Sequence, residues 1–198
     1  MGPTDSKIHL SNAGLRHFSK LVCLSTLFLI FVGGLVTSTG SGLAVPDWPL
    51  SYGMLFPPMV GGVFYEHGHR MVASVVGFLT LILAIWMGRR EKRVWVRNLG
   101  FAALAAVIAQ GILGGITVKF FLPTSVSVCH GILAQTFFIL TIIIAYSQSK
   151  ERLELQDQPQ KKPGNFLFWC LLTASLIYVQ LIVGAIMRHT HSDRKSVV

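Results

Sequence analysis

Long apolar runs alternate with short blocks of charge along this chain. The runs cover residues 18–37, 71–88, 99–118, 126–146 and 166–187, and each offers the roughly 18–22 nearly uncharged residues needed to cross a ~30 Å hydrocarbon layer. A water-soluble helical domain would need a polar face on every helix, and these runs have none. The pattern predicts an all-α, polytopic membrane protein: an antiparallel four-helix transmembrane bundle over 18–146 plus a fifth transmembrane helix over 166–187. The connections at 88–98 and 119–125 are short enough to force neighbouring helices together. Residues 1–20 read as an N-terminal tail, 147–165 as a linker with mixed charges, glutamines and two prolines, and 188–198 as a second tail. The first apolar run is too long for a signal peptide, and 40–53 does not look like a cleavage site, so it reads as a retained helix.

Composition agrees, with 52% hydrophobic and 13% charged residues. The net charge of +9 would raise nucleic acid as a partner in a soluble protein, but here the basic residues follow the topology and nucleic acid is set aside. With the N-terminus cytoplasmic in an inner (plasma) membrane, the inner segments hold twelve of the seventeen lysines and arginines, among them Arg16, Lys20, Arg89, Arg90, Arg93 and Arg97. The outer side keeps Arg70, Lys119, Arg188, Arg194 and Lys195, so the reversed orientation violates the positive-inside bias. Cys23, Cys129 and Cys170 fall inside the runs without a CxxC pair and read as packing residues.

The segments Gln110-Gly-Ile-Leu-Gly114-Gly-Ile and Gln180-Leu-Ile-Val-Gly184-Ala-Ile resemble each other, which points to an internal repeat with the fifth helix opening a second half. Small residues that let membrane helices approach give the same pattern without ancestry. Gln110 and Gln180 read as interhelical hydrogen-bonding groups.

Ionisable groups at membrane depth are costly and mark function, which singles out Glu66, His69, Arg70 and His130. With helix starts near Val63 and Thr124, both histidines lie six residues in, ~9 Å below the outer ends of two helices running in the same direction. Two imidazoles at matched depth on separate helices suit the axial positions of one haem iron. Ala73 and Gly77 below His69, and Ala134 below His130, leave a shallow wall for a flat ring. Glu66, one turn above His69, is placed to move protons. His67 faces away and reads as a loop or interface residue. A helix-to-helix hydrogen bond is the alternative for each histidine alone, while zinc wants three or four close ligands and copper a methionine or cysteine partner. The loop 40–53, stiffened by Pro46 and Pro49 and carrying Asp47 and Trp48, reads as a cover; Trp48 equally suits the membrane interface.

Three segments together resemble the haem A synthase family: Thr39-Gly-Ser-Gly-Leu-Ala-Val-Pro-Asp-Trp-Pro-Leu50, Glu66-His-Gly-His69-Arg70, and His130. The resemblance covers roughly 18–150, and 180–190 looks like the start of the family's second half. It implies an oxidoreductase that converts the C8 methyl of haem O to the formyl group of haem A for cytochrome oxidase biogenesis. On it, haem O is the substrate bound by His69 and His130 with Glu66 assisting, Arg70 matches the motif without an assigned role, and haem B would belong to the second half, where His189 resembles the first member of another histidine pair. Haem O synthase, oxidase assembly proteins and membrane lipid are the implied partners. Many bacterial relatives carry a cysteine pair about where Val45 and Ser51 stand, so a thiol step is unsupported. The tail after Thr190 does not continue into a second such loop, which reads as truncation, a frameshift or a natural short form; a working short form is expected to form a homo-oligomer. A bis-histidine cytochrome that only transfers electrons and a non-catalytic assembly subunit are the competing functions.

Overall fold

The computed structural model describes residues 13–154 and 164–192, with side chains over 13–153 and 164–187. Its helices are α1 (Ala13–Ser38), α2 (Gly62–Arg90), α3 (Val94–Lys119), α4 (Thr124–Ser147), the short α5 (Lys150–Glu154) and α6 (Asn165–Ser192). Among the described residues there is no strand, only an isolated bridge between Ser51 and Met54. Five of the helices are long and apolar enough to cross a membrane, in the places the hydrophobic runs predict. The expected N-terminal tail up to Asn12, residues 155–163 of the linker and the last six residues lie outside the described residues.

Local chemistry sets the helix ends. α2 starts after Gly61, which takes φ 56°, a backbone position that costs glycine little, and it ends with Arg89 and Arg90 on its carbonyl terminus. α3 stops where Phe121 and Leu122 turn left-handed and Leu122 N–H reaches back to Thr117 O at 2.7 Å. Pro123 then opens α4, where its missing N–H is no loss.

Each of the first four long helices packs against its two neighbours, α1 on α2, α2 on α3, α3 on α4 and α4 on α1, while the backbones of the diagonal pairs stay further apart. Short connections make α2, α3 and α4 antiparallel in turn, the longer 39–61 loop returns α1 beside α2, and the result is a closed square bundle. α6 leans on α4 alone among these helices. Tyr178 OH and Thr136 Oγ1 meet at 2.7 Å, and Tyr178, Ile182 and Ala185, one face of the helix, are the part of α6 that this contact partly covers.

The packed core occupies one half of the square. Its fully buried members include Leu15 and Val22 from the start of α1, Leu83 and Met87 from the end of α2, Val96 from the start of α3 and Ile144 from the end of α4. That end is closed by Glu91, whose carboxylate accepts bonds from Arg93 N–H, Nε and a terminal nitrogen (2.9, 2.9 and 2.8 Å) and from Gln148 Nε2 at 2.7 Å. The α2–α3 turn is thereby tied to the end of α4. Burial pushes the Glu91 carboxyl up, but the Arg93 bonds and charge and the Gln148 amide outweigh it and hold the group below its ordinary 4.5. A depressed carboxyl contributes stability above its unfolded value and loses it as pH falls through the folded one. The thermal midpoint in detergent is therefore expected to drop on acidification below the ordinary carboxylate range. Glu91→Gln should start lower at neutral pH and lose much of that dependence; an unchanged pH profile in the variant would remove Glu91 as its source.

Candidate functional site

The other half of the bundle, near the α1–α2 loop, is built differently. His69 on α2 and His130 on α4 stand on diagonal helices. With helix starts at Gly62 and Thr124, His69 lies seven and His130 six residues into its helix. In both rings Nδ1 is buried without a hydrogen-bond partner, so Nε2 is the accessible nitrogen. Seven residues on, two turns deeper on nearly the same face, each helix carries a fully buried core residue, Val76 under His69 and Phe137 under His130. These form a floor ~10 Å below the imidazoles. Glycines shape the walls: a Cβ on Gly33 of α1 would lie 3.0 Å from His69 Cε1, and one on Gly114 of α3 would lie 3.6 Å from His130 Cε1. Gln110 of α3 donates to the backbone O of His130 at 2.9 Å, fixing the height of α4 against α3. Partnerless imidazoles on diagonal helices above a packed floor fit a planar group ligated through its metal. Among the described residues no group of three or more His, Cys, Asp or Glu could hold a bare metal ion.

Over this half lies the loop between α1 and α2, held by one ion pair. Glu66 is buried, and its oxygens accept Val45 N–H at 2.8 Å and Arg70 at 2.5 Å. The same guanidinium donates to the backbone oxygens of Asp47 (2.7 Å), Leu50 (3.0 Å) and Val45 (3.2 Å). Asp47 caps the loop's own turn by accepting Tyr52 N–H at 2.7 Å and Gly53 N–H at 2.8 Å. The Gly53 bond, with help from Tyr52 and the nearby Arg70 charge, outweighs desolvation and holds its carboxyl below the ordinary range. Ala44 rests on the start of α2 at Gly62, where an added Cβ would come within 2.8 Å of it. A loop stitched through its carbonyls to a helix-borne arginine is a fixed cover, and the motif Glu-x-x-x-Arg supplies charge and counter-charge one turn apart.

The family model described as COX15-CtaA, cytochrome oxidase assembly protein, matches residues 16–63 and 60–195. The chain belongs to this family. Curated relatives named heme A synthase include those of Exiguobacterium sibiricum (32% identical), Bacillus licheniformis (30%) and Alkalihalophilus pseudofirmus (29%). They align over 90–92% of this chain and 60–61% of their own length. The chain thus spans about three fifths of the length of these relatives. No solved structure matches it. Its family and five apolar helices make it a multi-pass membrane protein.

The remaining residues of this COX15-CtaA chain are distributed as follows. Ala73 and Ala134 are partly buried one turn below the histidines. Gly77 instead lines a space of about 410 Å³ between α2 and α3 with Phe78, Leu81, Leu104, Val107 and Ile108, of which Phe78, Leu81 and Ile108 are exposed. Trp48, preceding a cis proline, lies over α3, where a Cβ on Gly115 would be 2.9 Å from its ring. Val45 and Ser51 are both buried, the first bonded through its N–H to Glu66 and the second at 2.8 Å from His67 Nδ1. Gln110 makes its interhelical bond, whereas Gln180 is exposed. The side chain of His189 lies outside the described residues. What sequence reasoning missed is the task of Arg70; the cue was a string of loop residues with few partners of their own facing a lone cation.

Removing Arg70 strands a buried carboxylate and frees three loop carbonyls. Arg70→Ala is expected to cost roughly 3 kcal/mol and to expose the 40–53 loop to proteolysis in detergent, with Arg70→Lys intermediate because it keeps charge without the fork. Protease resistance equal to the parent in Arg70→Ala would overturn the latch.

Proposed function

We propose that this chain forms the haem-O-binding half of a haem A synthase, an oxidoreductase that converts the C8 methyl of haem O to the formyl group of haem A for cytochrome oxidase. The observation that carries the reading is the histidine pair on diagonal helices above a packed floor, under a fixed loop, in a chain whose relatives are named heme A synthase. His69 and His130 would hold the substrate's iron through Nε2. A porphyrin supplies the electronics that make removal of hydride or an electron pair from its methyl group feasible. The protein's share is to fix the ring edge and to take up protons. Glu66 is the acidic residue next to the site, held by Val45 N–H and Arg70, and its carboxylate is assigned the proton-accepting role. The charge distribution supports an N-terminus in the cytoplasm of the plasma membrane, with the site near the outer face.

The spectrum of the purified protein tests this. Reduced protein in detergent should show a bis-histidine haem band, and extracted pigment should include haem O or haem A. His69→Ala and His130→Ala should each lose most of that pigment while remaining folded by circular dichroism. A parent protein that carries no haem when produced with haem O synthase would end the proposal.

One observation favours a second reading, in which the pair serves a cytochrome that only passes electrons: both Glu66 oxygens are already engaged by the loop. Glu66→Gln separates the two. Loss of at least ~100-fold in haem O conversion with the haem band retained is expected for the synthase; full conversion in the variant would assign the carboxylate to the latch alone.

A further inference from the structure

A second cavity, whose wall Val76 under His69 also reaches, lies against the face of α2 that carries His67. It has a volume of about 780 Å³ between α1, α2 and the loop, within the range of small-molecule sites. Its wall is apolar, formed by Leu24, Phe28, Met54, Phe56, Met71 and Val75, all exposed at the bundle's outer surface, so in a membrane it opens to the lipid. His67 and Arg70 also line it.

His67 is 7% exposed. Its Nδ1 is held by the Ser51 hydroxyl at 2.8 Å, and its Nε2 is buried with no partner. An orphaned polar atom at the edge of hydrocarbon is costly, and the cost is removed by a ligand that hydrogen-bonds to it. Arg70 narrows the chemistry of that ligand. Both its terminal nitrogens are committed to Glu66 and loop carbonyls, and its charge is matched by Glu66. No free cation greets a phosphate headgroup here. An aliphatic chain alone would leave Nε2 unpaired. A neutral ring bearing oxygen and an apolar tail satisfies both features, and a neutral imidazole donates to a carbonyl or accepts from a hydroxyl according to its tautomer.

We propose that this groove binds a lipid-soluble quinone, its ring oxygen on His67 Nε2 and its tail along Phe28 and Val75. Resting on the synthase reading, the quinone is also the electron acceptor. Each methyl oxidation, R–CH3 + H2O → R–CH2OH + 2H+ + 2e−, is balanced by one quinone taking two electrons and two protons to become quinol. His67 and His69, two residues apart on one helix, place donor and acceptor on opposite faces of α2.

Binding of a short-tailed quinone to the purified full chain in nanodiscs, followed by tryptophan fluorescence quenching and by extraction and quantification, tests the groove. Saturable binding near one per chain is expected. His67→Leu should weaken it about tenfold, the loss of one buried hydrogen bond, and His67→Gln should restore much of it. Val75→Trp, at an exposed position, should block the groove without unfolding the protein. All three should keep the haem spectrum, and His69→Ala should keep quinone binding while losing haem. Equal affinity in His67→Leu and parent, phospholipid as the only retained molecule, or loss of the quinone together with haem in His69→Ala would each overturn the site. A parent protein that binds the quinone but carries no haem would strike the synthase reading instead.

Discussion

Hydrocarbon offers no hydrogen-bond partner, so every polar group in this bundle has to be paired within the protein or left for a ligand. Most are paired locally. Thr26 and Thr80 return their hydroxyls to the carbonyls of Val22 and Val76 (2.8 and 2.7 Å), and Glu91 gathers four bonds at the core end of the bundle. Glu66 and Arg70 do the same for the loop at the other end. The unpaired atoms that remain include the Nδ1 atoms of His69 and His130, which leave Nε2 to face the space between the helices, and Nε2 of His67 at the second groove.

Those spaces exist because packing is uneven. Bulky side chains fill the half of the bundle bounded by Leu15, Met87, Val96 and Ile144, and this supplies the dispersion and exclusion that hold four helices in a square. Nearer the loop, the small residues Gly33, Gly114, Ala73 and Ala134 replace them around the histidines. A bundle filled evenly would have no room for a planar group; one hollow throughout would have nothing to keep its diagonals apart. Val76 and Phe137 lie at the boundary between the two regimes.

The ion pair between Glu66 and Arg70 couples the cover to the site. Both belong to the helix that carries His69, so the loop's position and the imidazole's height are set by one rigid element. Buried pairs of this kind contribute little net stability compared with apolar substitutes, but breaking one is costly. That asymmetry suits a latch whose purpose is geometry. It also places Ser51 against His67, connecting the loop to the second groove.

The sequence alone determined the helices, because a charge-free run of membrane length has one stable backbone solution in lipid and its ends are marked by charge, glycine and proline. It also put His69 and His130 about two turns into their helices, since rise per residue is fixed within a helix. Helical periodicity turned His67 away from them. What it could not determine was which helices lie diagonal, for that depends on side-chain packing between all four. Gly77 therefore read as part of the wall below His69 but lies among Phe78, Leu104 and Ile108, a drift that accumulates over two turns of a 3.6-residue helix. The partners of Arg70 were equally illegible, since backbone carbonyls carry no sequence signature. Only the folded loop brings those carbonyls, and the orphaned nitrogen of His67, to the places where their chemistry matters.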